Sequence, residues 1–163
     1  MQALFLTSGA FLCLTLQGAG DLQRTPDWPL AWAIFLGCYA PPRGACLGAW
    51  ATGLTRDLAS ATPIGLHTLP LLAATLCALR LRPTVFREHP LTQAALGFLL
   101  GLPAIWIEGA WLLWAGGSGP GADTLREAVL LAAWTGWGTP ILFAVLRPLR
   151  TAMGLAELPD LSR

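Results

Sequence analysis

Charged residues are scarce in this chain of 163 residues. They make up 12% of the sequence, about half the usual share of a soluble domain. The formal net charge is only +1, so there is no basic surface to neutralise a run of phosphates. The composition therefore argues against a soluble globular protein and excludes nucleic acid as a main partner.

Cysteine and histidine are also few, and their spacing fits neither a zinc site nor a disulfide framework. The cysteines lie singly in apolar stretches, as Cys13, Cys38, Cys46 and Cys77. The sequence has no Gly-x-Ser-x-Gly elbow, no P-loop and no readable Ser/His/Asp arrangement. We expect no metal and no cofactor, and hydrolytic and phosphoryl-transfer chemistry lack candidate residues.

Long apolar runs dominate what is present. Hydrophobic residues make up 55% of the chain, and the mean hydropathy is +0.58. Six runs are separated by short connectors, at 3–20, 28–42, 44–55, 63–79, 91–115 and 128–146. The first, fifth and sixth come near or exceed the roughly 20 residues that cross a bilayer. The pattern predicts one all-α membrane domain over 1–163, a compact bundle of six transmembrane helices with a short tail at 147–163.

The second and third runs are too short to cross a bilayer unaided. Only Arg43, preceded by Pro41 and Pro42, separates them. We expect a tight hairpin of two short helices that the other four shelter.

Arginine counts predict the orientation, because positively charged loops stay in the cytoplasm. With the N-terminus inside, seven arginines fall in cytoplasmic loops and three outside. We expect a multi-pass membrane protein with both termini in the cytoplasm. Its first run is expected to be a retained helix, because nothing basic precedes residue 24.

Small residues recur every four positions on two runs. One row is Gly44, Gly48 and Thr52, with Gly53 in a parallel row, and Gly97 and Gly101 repeat the spacing on the fifth run. Such rows let helix backbones approach closely. They predict either packing within this bundle or an interface with a partner or a second copy of the chain.

Glu108 is the acidic residue well inside a predicted span. Intramembrane carboxylates are candidates for function, and the ionisable residues at similar depth are Arg56 and Asp57. Three interpretations stay open: a proton-coupled transport site, a structural pair between Glu108 and Arg56, and a carboxyl group that reaches the outer interface.

Gly136, Gly138 and Pro140 fall in the middle of the last run. A proline there removes a backbone hydrogen bond, so we expect a kink or a break in the helix. Broken helices can line binding sites. Trp50, Trp106 and Trp134 lie deep in their runs, and we expect them to pack between helices.

One stretch resembles a known family. A proline-opened short helix is followed by Gly48-x4-Gly53-x3-Asp57-Leu58-x-Ser60-x3-Ile64-Gly65-Leu66, which is similar to MreD, the rod shape-determining membrane protein family. The similarity extends to Trp137-Gly138-Thr139-Pro140 and the basic residues that follow. Chain length and the six-run layout also agree.

The resemblance implies a bundle similar to the substrate-binding subunits of energy-coupling-factor transporters. It also implies a non-enzymatic scaffold of the cell elongation machinery in the bacterial inner membrane, which binds MreC and supports peptidoglycan synthesis and rod shape. Indirect partners would be MreB, RodA and a class B penicillin-binding transpeptidase. The alternative from another class is a small-molecule binding or transport subunit, because fold alone does not decide function.

Overall fold

The computed structural model describes residues 2–19, 25–60, 63–84, 86, 88–114 and 122–148. Within these residues the chain forms six helices and no strand. The helices are α1 (Gln2–Ala19), α2 (Trp28–Tyr39), α3 (Pro42–Ala59), α4 (Thr68–Leu81), α5 (Pro90–Trp114) and α6 (Ala122–Leu146). The all-helical fold and the number of helical segments agree with the six apolar runs, whereas most of the predicted tail lies outside the described residues.

Among the described residues, two helical segments are long and apolar enough to cross a membrane by length and composition. They are Pro90–Trp111 within α5 and Arg126–Leu146 within α6. Shorter apolar segments lie at Gly9–Gly18, Trp28–Tyr39 and Thr68–Leu81. The side chains of residues 2–8 in α1 lie outside the described part of the structure, so the full-length span at 3–20 stays a prediction.

α2 is the centre of the bundle and contacts all five other helices. Every residue from Pro29 to Tyr39 is buried. Trp32 and Phe35 stack with their ring centroids 5.9 Å apart, and Phe35 meets Phe143 of α6 edge to face at 5.2 Å. Gly9 of α1 leaves room for this cluster, because a Cβ there would lie 2.5 Å from the Trp32 ring. As expected, the other helices enclose the short helix α2.

α3 differs from the expectation. It begins at Pro42 and runs for 18 residues, so Arg43 lies in its first turn and not in a connector. Proline favours the first turn of a helix because its missing N–H would have no partner there. One face of α3 is buried, but Leu47, Trp50 and Leu58 on the other are 49–66% exposed.

Two other boundaries move for identifiable reasons. α4 begins at Thr68 and not at 63, because residues 64–67 form turns and Gly65 adopts φ +110°, a conformation that favours glycine. α6 begins at Ala122 and not at 128, because charged residues end an apolar run without ending a helix.

The prediction of a break in α6 is wrong. α6 is one continuous helix through Gly136, Gly138 and Pro140. A single proline removes only one hydrogen bond of the helix, and the two glycines serve close packing: a Cβ on Gly136 would lie 2.9 Å from the Ala94 carbonyl oxygen of α5, and one on Gly138 would lie 2.6 Å from the Pro26 ring.

Candidate functional site

Two of the charged residues selected from the sequence, Arg56 and Asp57, meet other polar side chains at one end of α2, in a cluster that we call the polar junction. Its members come from the start of α2, the end of α3, the start of α4 and the middle of α6. They are Asp27, Arg56, Asp57, His67, Thr68 and Thr135.

Asp57 is the most buried member, with no exposed surface. Its Oδ2 accepts hydrogen bonds from the backbone N–H of Gly65 at 2.8 Å and from the Thr68 hydroxyl. Its Oδ1 accepts the backbone N–H of His67 at 2.8 Å and lies 2.9 Å from Nδ1 of the same residue. Because a carboxylate has only acceptors, the imidazole donates from Nδ1.

These contacts give Asp57 a definite structural task. The first N–H groups of a helix have no partner within the helix, and the residue before α4, His67, makes no side-chain cap. The carboxylate at the end of α3 accepts the N–H of Thr68, the first residue of α4, at 3.4 Å, in addition to the two N–H groups of the turn before it. Its negative charge lies at the positive end of the α4 dipole.

Asp27 performs the same task for α2. It is the N-cap residue, and its Oδ1 accepts the backbone N–H of Leu30 at 3.1 Å. Its Oδ2 accepts a hydrogen bond from Nη1 of Arg56 at 2.9 Å. Its own backbone N–H donates to Oγ1 of Thr135 at 3.0 Å.

The two neighbours Arg56 and Asp57 therefore organise both short helices, one through Asp27 and the other directly. α1 joins the same region, because Oε1 of Gln17 accepts the backbone N–H of Trp28 at 3.2 Å. The arrangement is suited to holding helix ends in register. Among the residues that the structure describes, no group of three His, Cys, Asp or Glu side chains could hold a metal ion.

The predicted pair between Glu108 and Arg56 stays a prediction. The structure pairs Arg56 with Asp27. Glu108 lies in α5, and its side chain falls outside the described part of the structure. Sequence reasoning selected Arg56 and Asp57 but missed their partners Asp27, His67 and Thr68. It also missed Thr135, which accepts the backbone N–H of Asp27. The readable signal was Asp27 immediately before Trp28-Pro29, a helix-start pattern.

The small-residue rows lie mainly inside the bundle. Gly48 and Thr52 are buried, and a Cβ on Gly53 would lie 2.4 Å from the Cα of Thr68. A Cβ on Gly97 would lie 2.3 Å from Oγ1 of Thr139 in α6. Helices of the same chain occupy these faces.

Two members of the rows have more room. A Cβ on Gly101 would meet Ala132 at an ordinary 3.6 Å, and a Cβ on Gly44 would meet only the Pro41 ring. Trp50, Trp106 and Trp134 are 49%, 56% and 40% exposed, so the expectation that they pack between helices is wrong.

The opposite end of α2 has a second charged group, and we call it the arginine end. The guanidinium of Arg82 donates to the Gly37 carbonyl at 2.7 Å and to the Ala40 carbonyl at 2.6 Å. Nearby along α6, Arg147 pairs with Glu88 at the surface. Basic side chains suit this position because the last carbonyls of a helix lack partners and carry its negative dipole end.

Comparisons of the chain with protein-family models, with curated proteins and with solved structures find no match.

Proposed function

We propose that this chain is a non-enzymatic scaffold of the inner membrane that binds MreC in the cell elongation complex and so supports peptidoglycan synthesis and rod shape. The proposal takes the partner from the sequence resemblance to MreD. It takes the binding surface from α6.

The observation that supports a helix-binding role is an exposed apolar stripe along α6. Its members are Leu130, Trp134, Trp137, Ile141 and Val145, which are 40–63% exposed. They recur at intervals of three or four residues, so they lie on one face of the helix. The stripe extends about 22 Å at 1.5 Å per residue.

Its position and shape fit one transmembrane helix of a partner. α6 is one of the two helices long enough to cross a membrane. The rings of Trp134 and Trp137 meet at 87° with centroids 6.2 Å apart, which makes a rigid ridge in the middle of the stripe. Wide aromatic side chains with few rotatable bonds are favoured anchors in interfaces.

The residues of the MreD-like motif contact the chain's own helices, which leaves partner binding to α6. Asp57 accepts the N–H of Gly65, and Gly53 lies against the backbone of Thr68. These motif residues therefore hold α3 to α4, and their side chains are not left free for a substrate. A small-molecule binding subunit would need polar side chains that face a ligand, whereas those of the junction bond to the chain's own helices.

Co-purification with MreC tests the proposal. The full chain and its host's MreC are co-expressed, extracted in mild detergent and captured through a tag on the chain. We expect the wild type to retain MreC. Trp137→Ala should lose most of it at an unchanged unfolding midpoint, because an interface anchor of this kind contributes about 2 kcal/mol or more.

The matched control is Leu47→Ala, which truncates a side chain that is also 63% exposed but lies on α3. Its retention of MreC should equal that of the wild type. Failure of the wild-type pair to co-purify would contradict the proposed partner. Equal losses in Trp137→Ala and Leu47→Ala would contradict the α6 stripe.

A further inference from the structure

The six helices differ greatly in length. α5 and α6 have 25 residues each, whereas α2 has 12 and α4 has 14. At 1.5 Å per residue these lengths are about 37 Å for the long pair and about 18–21 Å for the short pair. The long helices must therefore extend beyond the short ones at one end or at both.

Contacts show that the difference lies at the junction end. At the arginine end, Tyr39 near the end of α2 meets the ring of Phe143 near the end of α6, with centroids 5.7 Å apart. At the other end, Asp27 bonds to Thr135, which is thirteen residues after the start of α6. The first half of α6 thus extends about 20 Å past the start of α2.

α5 extends with it. A Cβ on Gly101 would contact both Ala132 of α6 and Leu30 of α2, and α5 continues from there to Trp114. We call residues 102–114 and 122–131 the arm. Of the arm side chains that the structure describes, only Ala104 is buried, so the rest of the bundle does not enclose the arm.

The membrane depth of the junction follows, on the membrane placement of the proposed function. The spans Pro90–Trp111 and Arg126–Leu146 have 22 and 21 residues, which match a hydrocarbon core of about 30 Å. Thr135 lies eleven residues from Leu146, or about 16 Å along the helix. Asp27, bonded to Thr135, is then close to the middle of the bilayer.

Non-helical backbone lies at about this depth. Residues 25–27 precede α2, and residues 63–67 form the turn that bonds to Asp57. Such backbone is tolerated within a membrane only where protein buries it or water reaches it. Protein does not bury all of it, because Pro63 and Ile64 are exposed.

We propose that the polar junction is the floor of a water-filled recess in one leaflet, with the arm as one wall. The protein then spans the full thickness of the bilayer along α5 and α6. At the starts of α2 and α4 it spans only about half of that thickness. The stepped surface brings water to Arg56 and Asp27 while the outer face of the arm stays in lipid.

Thiol labelling in native membranes tests the recess. All four native cysteines, Cys13, Cys38, Cys46 and Cys77, are replaced by alanine, because denaturation would also expose the two buried ones. Single cysteines are then introduced as Ile64→Cys in the turn, Thr25→Cys before α2, and Ala133→Cys on the exposed face of α6. A charged maleimide that cannot enter lipid is the probe, and labelling after denaturation in detergent gives each variant's maximum.

Ala133→Cys is the matched control, because it lies two residues from Thr135 and hence at the depth of the junction. Since the thiolate is the reacting form and needs water to ionise, we expect Ile64→Cys and Thr25→Cys to react at least about 10-fold faster than Ala133→Cys. Ile64→Cys and Thr25→Cys, which we call the turn variants, are both used. If one of them fails to fold, the other still tests the recess.

The outcomes separate the two proposals. If the turn variants are as inert as Ala133→Cys, lipid or protein covers the junction and the recess is wrong. If Ala133→Cys reacts as fast as the turn variants, the arm is not in lipid, and the membrane placement on which the proposed function rests fails instead.

Discussion

The two ends of α2 use opposite charges for the same purpose. At the junction, the Asp27 carboxylate accepts a backbone N–H and pairs with Arg56. At the arginine end, the Arg82 guanidinium donates to the last carbonyl groups. Both arrangements complement the helix dipole, and both tie α2 to a neighbouring helix.

The surroundings of the two ends differ. Asp57 has no exposed surface, and the side chains of Asp27 and Arg56 are 10% and 14% exposed. The side chains of Glu88 and Arg147 are 51% and 44% exposed. Removing the partners of a charged group without exposed surface, such as Asp57, costs far more than removing one at the surface, where water replaces the lost partner. Sensitivity to substitution should therefore fall from the junction to the arginine end.

The largest loss is expected from Asp57→Ala. It leaves the N–H groups of Gly65 and His67 and the Thr68 hydroxyl without their carboxylate partner. We expect the free energy of unfolding in detergent to fall by about 3–5 kcal/mol. Leu58→Ala, on the exposed face of α3, is the matched control, and a loss no greater than the control's would refute the capping role.

A smaller loss is expected from Gly53→Ala. The new Cβ would lie 2.4 Å from the Cα of Thr68, and backbone cannot move aside as a flexible side chain can. Overpacking of this kind costs about 2–3 kcal/mol. Gly109→Ala, where a Cβ meets nothing within 4 Å, should leave the unfolding midpoint unchanged or raised. Equal midpoints for the two variants would show that α3 and α4 can separate without cost.

At the arginine end, Arg82→Met should cost about 1–2 kcal/mol. It removes charged hydrogen bonds to the Gly37 and Ala40 carbonyl groups, but Arg82 is itself half-buried, so water can replace part of what is lost. Arg80→Met, at an exposed position of the same helix, provides the comparison in thermal unfolding. The capping role of Arg82 fails if the two variants unfold at the same temperature.

The smallest effect is expected from Glu88→Gln. Its pair with Arg147 is exposed, and such pairs contribute about 0–0.5 kcal/mol, less as salt screens them. Unfolding measured at low and at high salt should differ little between variant and wild type. A loss larger than that of Arg82→Met would reverse the proposed order of the two ends.

Much of the fold could be predicted from hydropathy, because each helix carries an apolar run that a simple reading detects. The boundaries could not, because capping and chain geometry set them. Arg43 looks like a connector residue but lies in the first turn of α3. The start of α4 depends on Gly65 and on a carboxylate eight residues earlier in the chain.

The junction could be predicted only in part. Arg56 and Asp57 stand out as charges at the edge of apolar runs, and Asp27 carries a helix-start pattern. Thr135 has no local signal, because its bond to Asp27 joins residues 108 positions apart. Such a contact depends on which helices pack against each other, and hydropathy does not determine which helices become neighbours.

A double-mutant cycle on Asp27 and Arg56 tests most directly whether the junction is a structural element. Asp27→Asn, Arg56→Gln and the double variant are compared with the wild type by their free energies of unfolding. Because the two charges meet at 2.9 Å with little exposure, we predict a coupling energy of about 1–3 kcal/mol. Additive losses, with a coupling near zero, would contradict the claim that this pair holds α2 to α3.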